Sequence, residues 1–187
     1  MGSDRPSLSW SRSLVLDNAG GMSSNPFVLL CCAALLVTTS GCPGSATSGV
    51  ALRSDGTPGP QECPEKTREV MGYLELHVGA AALVQLDANQ PLSSPVTLYE
   101  GPIESVLQDD LGIIEAPSRL YGRVWTSGPQ VVIRYYEAHR LSDGKRLPIC
   151  GVARLGSGQL RKLPESKPGT AIIDTYQAGV FIVDEFR

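Results

Sequence analysis

Apolar residues form one unbroken run near the N-terminus and then short groups that alternate with polar positions. The run, 27–37, reads Phe-Val-Leu-Leu-Cys-Cys-Ala-Ala-Leu-Leu-Val and is apolar on every face. It is too short for a membrane-spanning helix, which needs about 20 such residues, and matches the roughly 7–15 of a signal-peptide core. Small uncharged residues follow it, Thr38-Thr39-Ser40-Gly41 and then Cys42. The pattern predicts a signal peptide over 1–41, with Met22 as the favoured true start. Next, 43–61 mixes Gly, Pro, Ser and Thr with few apolar residues. Such a stretch cannot bury enough surface to offset its ordering entropy, so 42–61 reads as a flexible linker reaching roughly 20–25 Å.

From residue 62 onward the periodicity changes. Residues 64–71, Pro-Glu-Lys-Thr-Arg-Glu-Val-Met, predict one short helix: proline suits its first turn, acids suit its positive end, and Gly72 is the expected stop. Strand signals take over at 80–86, 95–99, 103–107, 120–126, 131–138, 147–155, 171–173 and 180–183, separated by Gly, Pro, Asn and Asp turns. Within 131–138, Val131, Ile133 and Tyr135 fall on one side; Val132, Arg134 and Tyr136 fall on the other, which Arg134 marks as the exposed side. Asp143-Gly144 predicts a two-residue hairpin turn that would set Glu137 near Cys150. About eight short strands with little helix predict a mainly β fold, a small antiparallel β-sandwich or barrel, in one domain over 62–187.

Composition narrows the function classes. An apolar content of 42% argues against wholesale disorder, and 16 basic against 19 acidic residues leave no electrostatic footprint for nucleic acid. The two histidines, His77 and His139, sit in no metal-ligand spacing, and there is no Gly-x-Ser-x-Gly nucleophile elbow. Asp109-Asp110 lacks calcium-loop spacing and reads as a solvated turn. No catalytic residue, metal or cofactor is therefore expected. The most suggestive set is Tyr121, Arg123, Trp125, Arg134 and Tyr136, which share one sheet face. They form either a ligand platform or a set of cross-strand pairs that stabilises the sheet.

Ser40-Gly41-Cys42 resembles the end of a lipobox. With the Gly/Pro/Ser tether, the Cys-Pro-Glu helix start and a β-domain holding a second cysteine, the layout resembles uncharacterised bacterial envelope lipoproteins. Thr39 departs from the usual Leu at its position, and the chain carries no Lys or Arg between Arg12 and Arg53. The resemblance implies cleavage before Cys42 and its acylation, a palmitate-type anchor that holds a protein stably to membrane. Pro43 after the cysteine then favours the outer membrane. Removing 1–41 takes away Cys31 and Cys32; with Cys42 lipidated, Cys63 and Cys150 remain, to be paired in an oxidising compartment or left as buried thiols. The expected function is a non-enzymatic lipoprotein of the cell envelope that binds an envelope protein or glycan. Two alternatives remain open: ordinary cleavage to a soluble periplasmic or secreted protein, and a small hydrolase assembled from scattered residues such as His77, His139, Asp109 and Asp110.

Overall fold

The computed structural model describes residues 49–187 apart from Ser157. The expected signal peptide, Met22 and Cys42 lie outside the described residues. In chain order the elements are β1 (Gln61–Glu62), α1 (Glu65–Tyr73), β2 (Ala81–Gln85), β3 (Val96–Tyr99), β4 (Gly101–Leu107), β5 (Arg119–Trp125), β6 (Gln130–His139), β7 (Arg146–Arg154), β8 (Leu160–Arg161), β9 (Thr170–Ile173), β10 (Gln177–Ile182) and β11 (Glu185–Phe186). The fold is mainly β, as the alternation predicts, and of the two expected architectures it is a barrel.

Six strands build that barrel. β2, β4, β5, β6, β7 and β10 pair antiparallel in this order, and β10 returns to pair with β2. An even number of strands lets the first and last meet antiparallel, so no edge is left open. Outside the closed sheet, β3 pairs with β9, β1 with β11, and β8 extends the start of β6.

Alternation fills the interior. Ile103, Ser105 and Leu107 of β4 point inward, as do Leu120 and Val124 of β5 and Val131, Ile133 and Tyr135 of β6, all buried. Tyr136 is then an extra residue: Tyr135 pairs with Gly122 and Glu137 with Tyr121. This bulge passes the inward parity to Ala138. Gly122 faces the bulge so closely that a Cβ there would lie 2.2 Å from the Arg134 carbonyl oxygen. Inside, the Ser105 hydroxyl donates to the Leu86 carbonyl at 2.6 Å and accepts from the Tyr135 hydroxyl at 2.7 Å. A six-stranded barrel is narrower than the eight-stranded kind that can hold one small ligand, and side chains occupy its centre.

Helix α1 lies on the outer side of β7. Met71 and Leu74 are buried, and Cys63 just ahead of the helix is bonded to Cys150 with the Cα atoms 6.0 Å apart. The Cys150 amide also points at the Met71 sulfur at 3.2 Å. Of the two readings of these cysteines, the pair is the one found.

Three local expectations are corrected. Gly72 does not stop the helix; it lies within α1, and the terminator is Glu75, in the left-handed region at φ 58°. The Leu76 amide donates to Met71 and the Glu75 amide to Gly72, the hydrogen-bond pattern of a Schellman cap. Asp143-Gly144 does not form a two-residue turn. The loop holds four residues, 141–144, closed by Arg140 and Lys145, because the Asp143 carboxylate ties the Arg140 guanidinium and the Lys145 amide together. The register moves by two at the turn end, where Glu137 faces Pro148 and not Cys150, and by one beyond the bulge at Tyr136, where Tyr135 faces Gly151. The later part of the expected linker is folded: Leu52 bridges to Pro58, and Pro58 and Gly59 are buried against the barrel wall.

Candidate functional site

The five residues of the predicted face do stand together on the outer wall of β5 and β6. Tyr121, Arg123 and Trp125 alternate outward on β5, Arg134 points outward opposite Arg123, and Tyr136 occupies the bulge. The wall they form divides into an open end and a covered end.

At the open end, register brings in residues that sequence reasoning missed. Glu104 of β4 lies opposite Tyr121, which lies opposite Glu137, while Arg119 lies opposite His139. The Glu104 carboxylate accepts from the Arg119 guanidinium and, at 3.1 Å, from the Tyr121 hydroxyl. The Glu137 carboxylate meets the His139 ring, and that ring packs on Tyr121 with centroids 4.1 Å apart. Burial, reinforced by Glu104, holds the Tyr121 hydroxyl above its ordinary pKa, and the bond to Glu104 raises Arg119. Beside this group is a cleft of about 90 Å³, lined among others by Asp87, Asn89, Tyr99, Pro102 and Glu104, with Tyr99 64% exposed. The outward position of Glu104 follows from alternation, whereas that of Glu137 follows from the bulge at Tyr136, since strict alternation would turn it inward with Tyr135; no local signal specifies that bulge or which strand lies beside which.

The covered end overturns an expectation. Arg134, read as marking the exposed side, is 0% exposed, and Trp125 is 3% exposed. The arm 52–59 crosses over them from the N-terminal side, and β11 closes from the C-terminal side. Arg134 donates through Nη2 to the Gly59 carbonyl at 2.8 Å and to that of Pro58 at 3.4 Å. Its guanidinium lies 5.5 Å from the Trp125 ring and 5.0 Å from that of Phe186, and Arg123 lies 5.6 Å from the same tryptophan. Tyr136 packs on Phe186 at 5.3 Å. A guanidinium is flat and weakly hydrated, so aromatic faces can stand in for part of its hydration. That is why an arginine can fit into this outer layer although alternation assigns it to solvent. Burial pushes its pKa down and the Tyr136 hydroxyl's up.

The scattered candidates are not assembled into one site. His77 lies in the exposed loop after α1, while the Asp110 carboxylate accepts from the Ala116 amide at 2.7 Å within its own turn. His139 contacts Glu137 and Tyr121. Among the described residues no three His, Cys, Asp or Glu side chains gather as a metal site, and no helix is long and apolar enough to cross a membrane. Compared with known proteins, the chain matches no family model and no curated sequence.

Proposed function

We propose that this chain is a non-enzymatic lipoprotein of the bacterial envelope, held to membrane through Cys42, which uses the outer wall of its barrel to bind an envelope glycan or protein. The observation that carries the binding half is the open end of the wall. There, Glu104, Arg119, Tyr121, Glu137 and His139 present carboxylates, a guanidinium and aromatic faces beside the cleft under Tyr99. Aromatic faces suit the apolar side of a sugar ring, and carboxylates accept from hydroxyls. A barrel whose centre is filled with side chains leaves its outside and its loops for recognition. The anchor half rests on the 27–37 run, Ser40-Gly41-Cys42 and the oxidised Cys63–Cys150 pair, which suits an exported protein.

The hydrolase alternative keeps one supporting observation, the Glu137–His139 pair beside Tyr121, an arrangement that can hold and pass a proton. Intact mass spectrometry of the full chain expressed in a bacterial host tests the anchor. Wild type is expected to start at Cys42 with added acyl mass, and Cys42→Ala to lack it; an unprocessed, unacylated wild type refutes the anchor. Co-sedimentation with purified envelope glycan tests the wall. Tyr121→Ala and Glu104→Gln are expected to weaken retention about tenfold, roughly 1.4 kcal/mol, at an unchanged melting temperature. Turnover of a chromogenic ester that His139→Ala abolishes would favour the hydrolase instead.

A further inference from the structure

Arg134 is a fully buried cation with too few partners. Its Nη2 group reaches the Gly59 and Pro58 carbonyls, but Nε and Nη1 are buried with no acceptor among the described residues. The rings of Trp125 and Phe186 meet the guanidinium without engaging those N–H groups as conventional hydrogen-bond acceptors. Buried donors are nearly always paired, and a buried charge without a counter-charge is strongly unfavourable. No ion pair among the described residues involves Arg134, Arg123 or Arg53.

The same deficit recurs next to it. Arg123 lies 5.6 Å from the same Trp125 ring, and its Nε is also buried with no partner among the described residues. The Tyr136 hydroxyl oxygen lies close enough to Arg134 to favour its charge, but the phenol's own proton has no acceptor among the described residues. Arg53, on the arm, adds a third positive charge near enough to act on Arg134. Donors and positive charge thus converge around one tryptophan, and Arg134 meets two backbone carbonyls and the Tyr136 oxygen but no carboxylate among the described residues.

We propose that Arg134, Arg123 and Tyr136 form a binding site for a small oxyanion, a carboxylate or phosphate group, roofed by the arm 52–59. A guanidinium offers in-plane donors that match the oxygens of such a group, and the phenol adds one more. The Gly59 and Pro58 carbonyls occupy Nη2 as stand-ins for two of the anion's oxygens. Entry requires the arm to lift, and the arm is tied to itself by its own hydrogen bonds. Arg53 Nη1 donates to the Pro58 carbonyl at 3.1 Å, Asp55 accepts from the Thr57 amide at 2.9 Å, and Gly56 turns in the left-handed region at φ 79°. This inference does not depend on the membrane anchor or on what the open end of the wall binds.

Trp125 is the natural reporter. The full chain carrying Trp10→Phe has Trp125 as its only tryptophan. Its fluorescence would be followed on titration with inorganic phosphate and, separately, with acetate, each at constant ionic strength set by sodium chloride. A saturable change with either anion, accompanied by a rise in melting temperature, is expected; which anion saturates at lower concentration assigns phosphate or carboxylate. Arg123→Gln and Tyr136→Phe should each raise the half-saturating concentration about tenfold while the anion-free melting temperature stays near that of the parent. Arg134→Lys keeps the charge but loses the fork, and should weaken the response at least as much. A response that chloride reproduces at matched ionic strength, or one that Arg123→Gln and Tyr136→Phe leave intact, would overturn the proposal and leave Arg134 as a clasp for the arm. So would the absence of any saturable change.

Discussion

Tyr135 shows how a single residue can couple the core to pH. Its ring is fully buried in the barrel, its hydroxyl donates to Ser105, and burial pushes its pKa above the ordinary value near 10. The folded chain therefore keeps a proton that the unfolded chain loses. This contribution to stability is complete below about pH 10 and declines as pH rises further toward the folded value. Urea midpoints measured from pH 8 to 11 should hold level and then fall. Tyr135→Phe should cost about 1 kcal/mol at neutral pH and remove part of the alkaline slope. At Glu75 the strain is in the backbone. A left-handed non-glycine residue costs about 1–2 kcal/mol, part of which glycine gives back through its freer unfolded state. Glu75→Gly should accordingly stabilise by about 0.5 kcal/mol in thermal melts; a loss of stability would mean that the Glu75 side chain contributes more than its conformation costs.

At the scale of elements, α1 depends on its bond to β7. Cys63 and Cys150 are 87 residues apart in sequence, a separation for which loop closure predicts up to roughly 4–5 kcal/mol and measured effects are usually smaller. The double variant Cys63→Ala/Cys150→Ala should lose about 2–4 kcal/mol in chemical denaturation, and amide exchange in α1 should quicken before exchange in the barrel strands. Uniform acceleration across all strands would instead make helix and barrel one cooperative unit. The strands themselves were legible because inward and outward positions alternate within a few residues, as at 131, 133 and 135. The β6–β7 register was not, because the Asp143 side chain, rather than the Asp143-Gly144 dipeptide alone, sets the loop length.

For the molecule as a whole, both ends of the folded unit meet on the same patch of wall. Phe186, the residue before the last, is fully buried against Arg134 and Tyr136, and its strand β11 pairs with β1. Phe186→Ala should cost about 3–5 kcal/mol and shift Trp125 emission to longer wavelength as water reaches the covered face. A cost under about 1 kcal/mol would show that the barrel stands without this cover. The candidate face was legible to the extent that five outward residues could be named in advance. Its division into an open and a covered end could not be read, because the cover comes from 52–59 and from Phe186, both far from β5 and β6 in sequence.

By itself, the sequence did not reveal the two-residue strands β1, β8 and β11. It determined the mainly β class, the place of the helix ahead of the barrel, the eight longer strands among the described residues and the inward side of β6 as far as Tyr135. Each of these depends on contacts within a few residues, where alternation, turn chemistry and helix-end preferences act. Only the tertiary structure decided that the sheet closes into a barrel, which strands are neighbours, and that Arg134 is roofed rather than exposed. Those outcomes rest on pairings between distant segments and on a cation stacked between rings from two strands. No local pattern carries that information, because the free energy that selects it arises only once the chain has closed on itself.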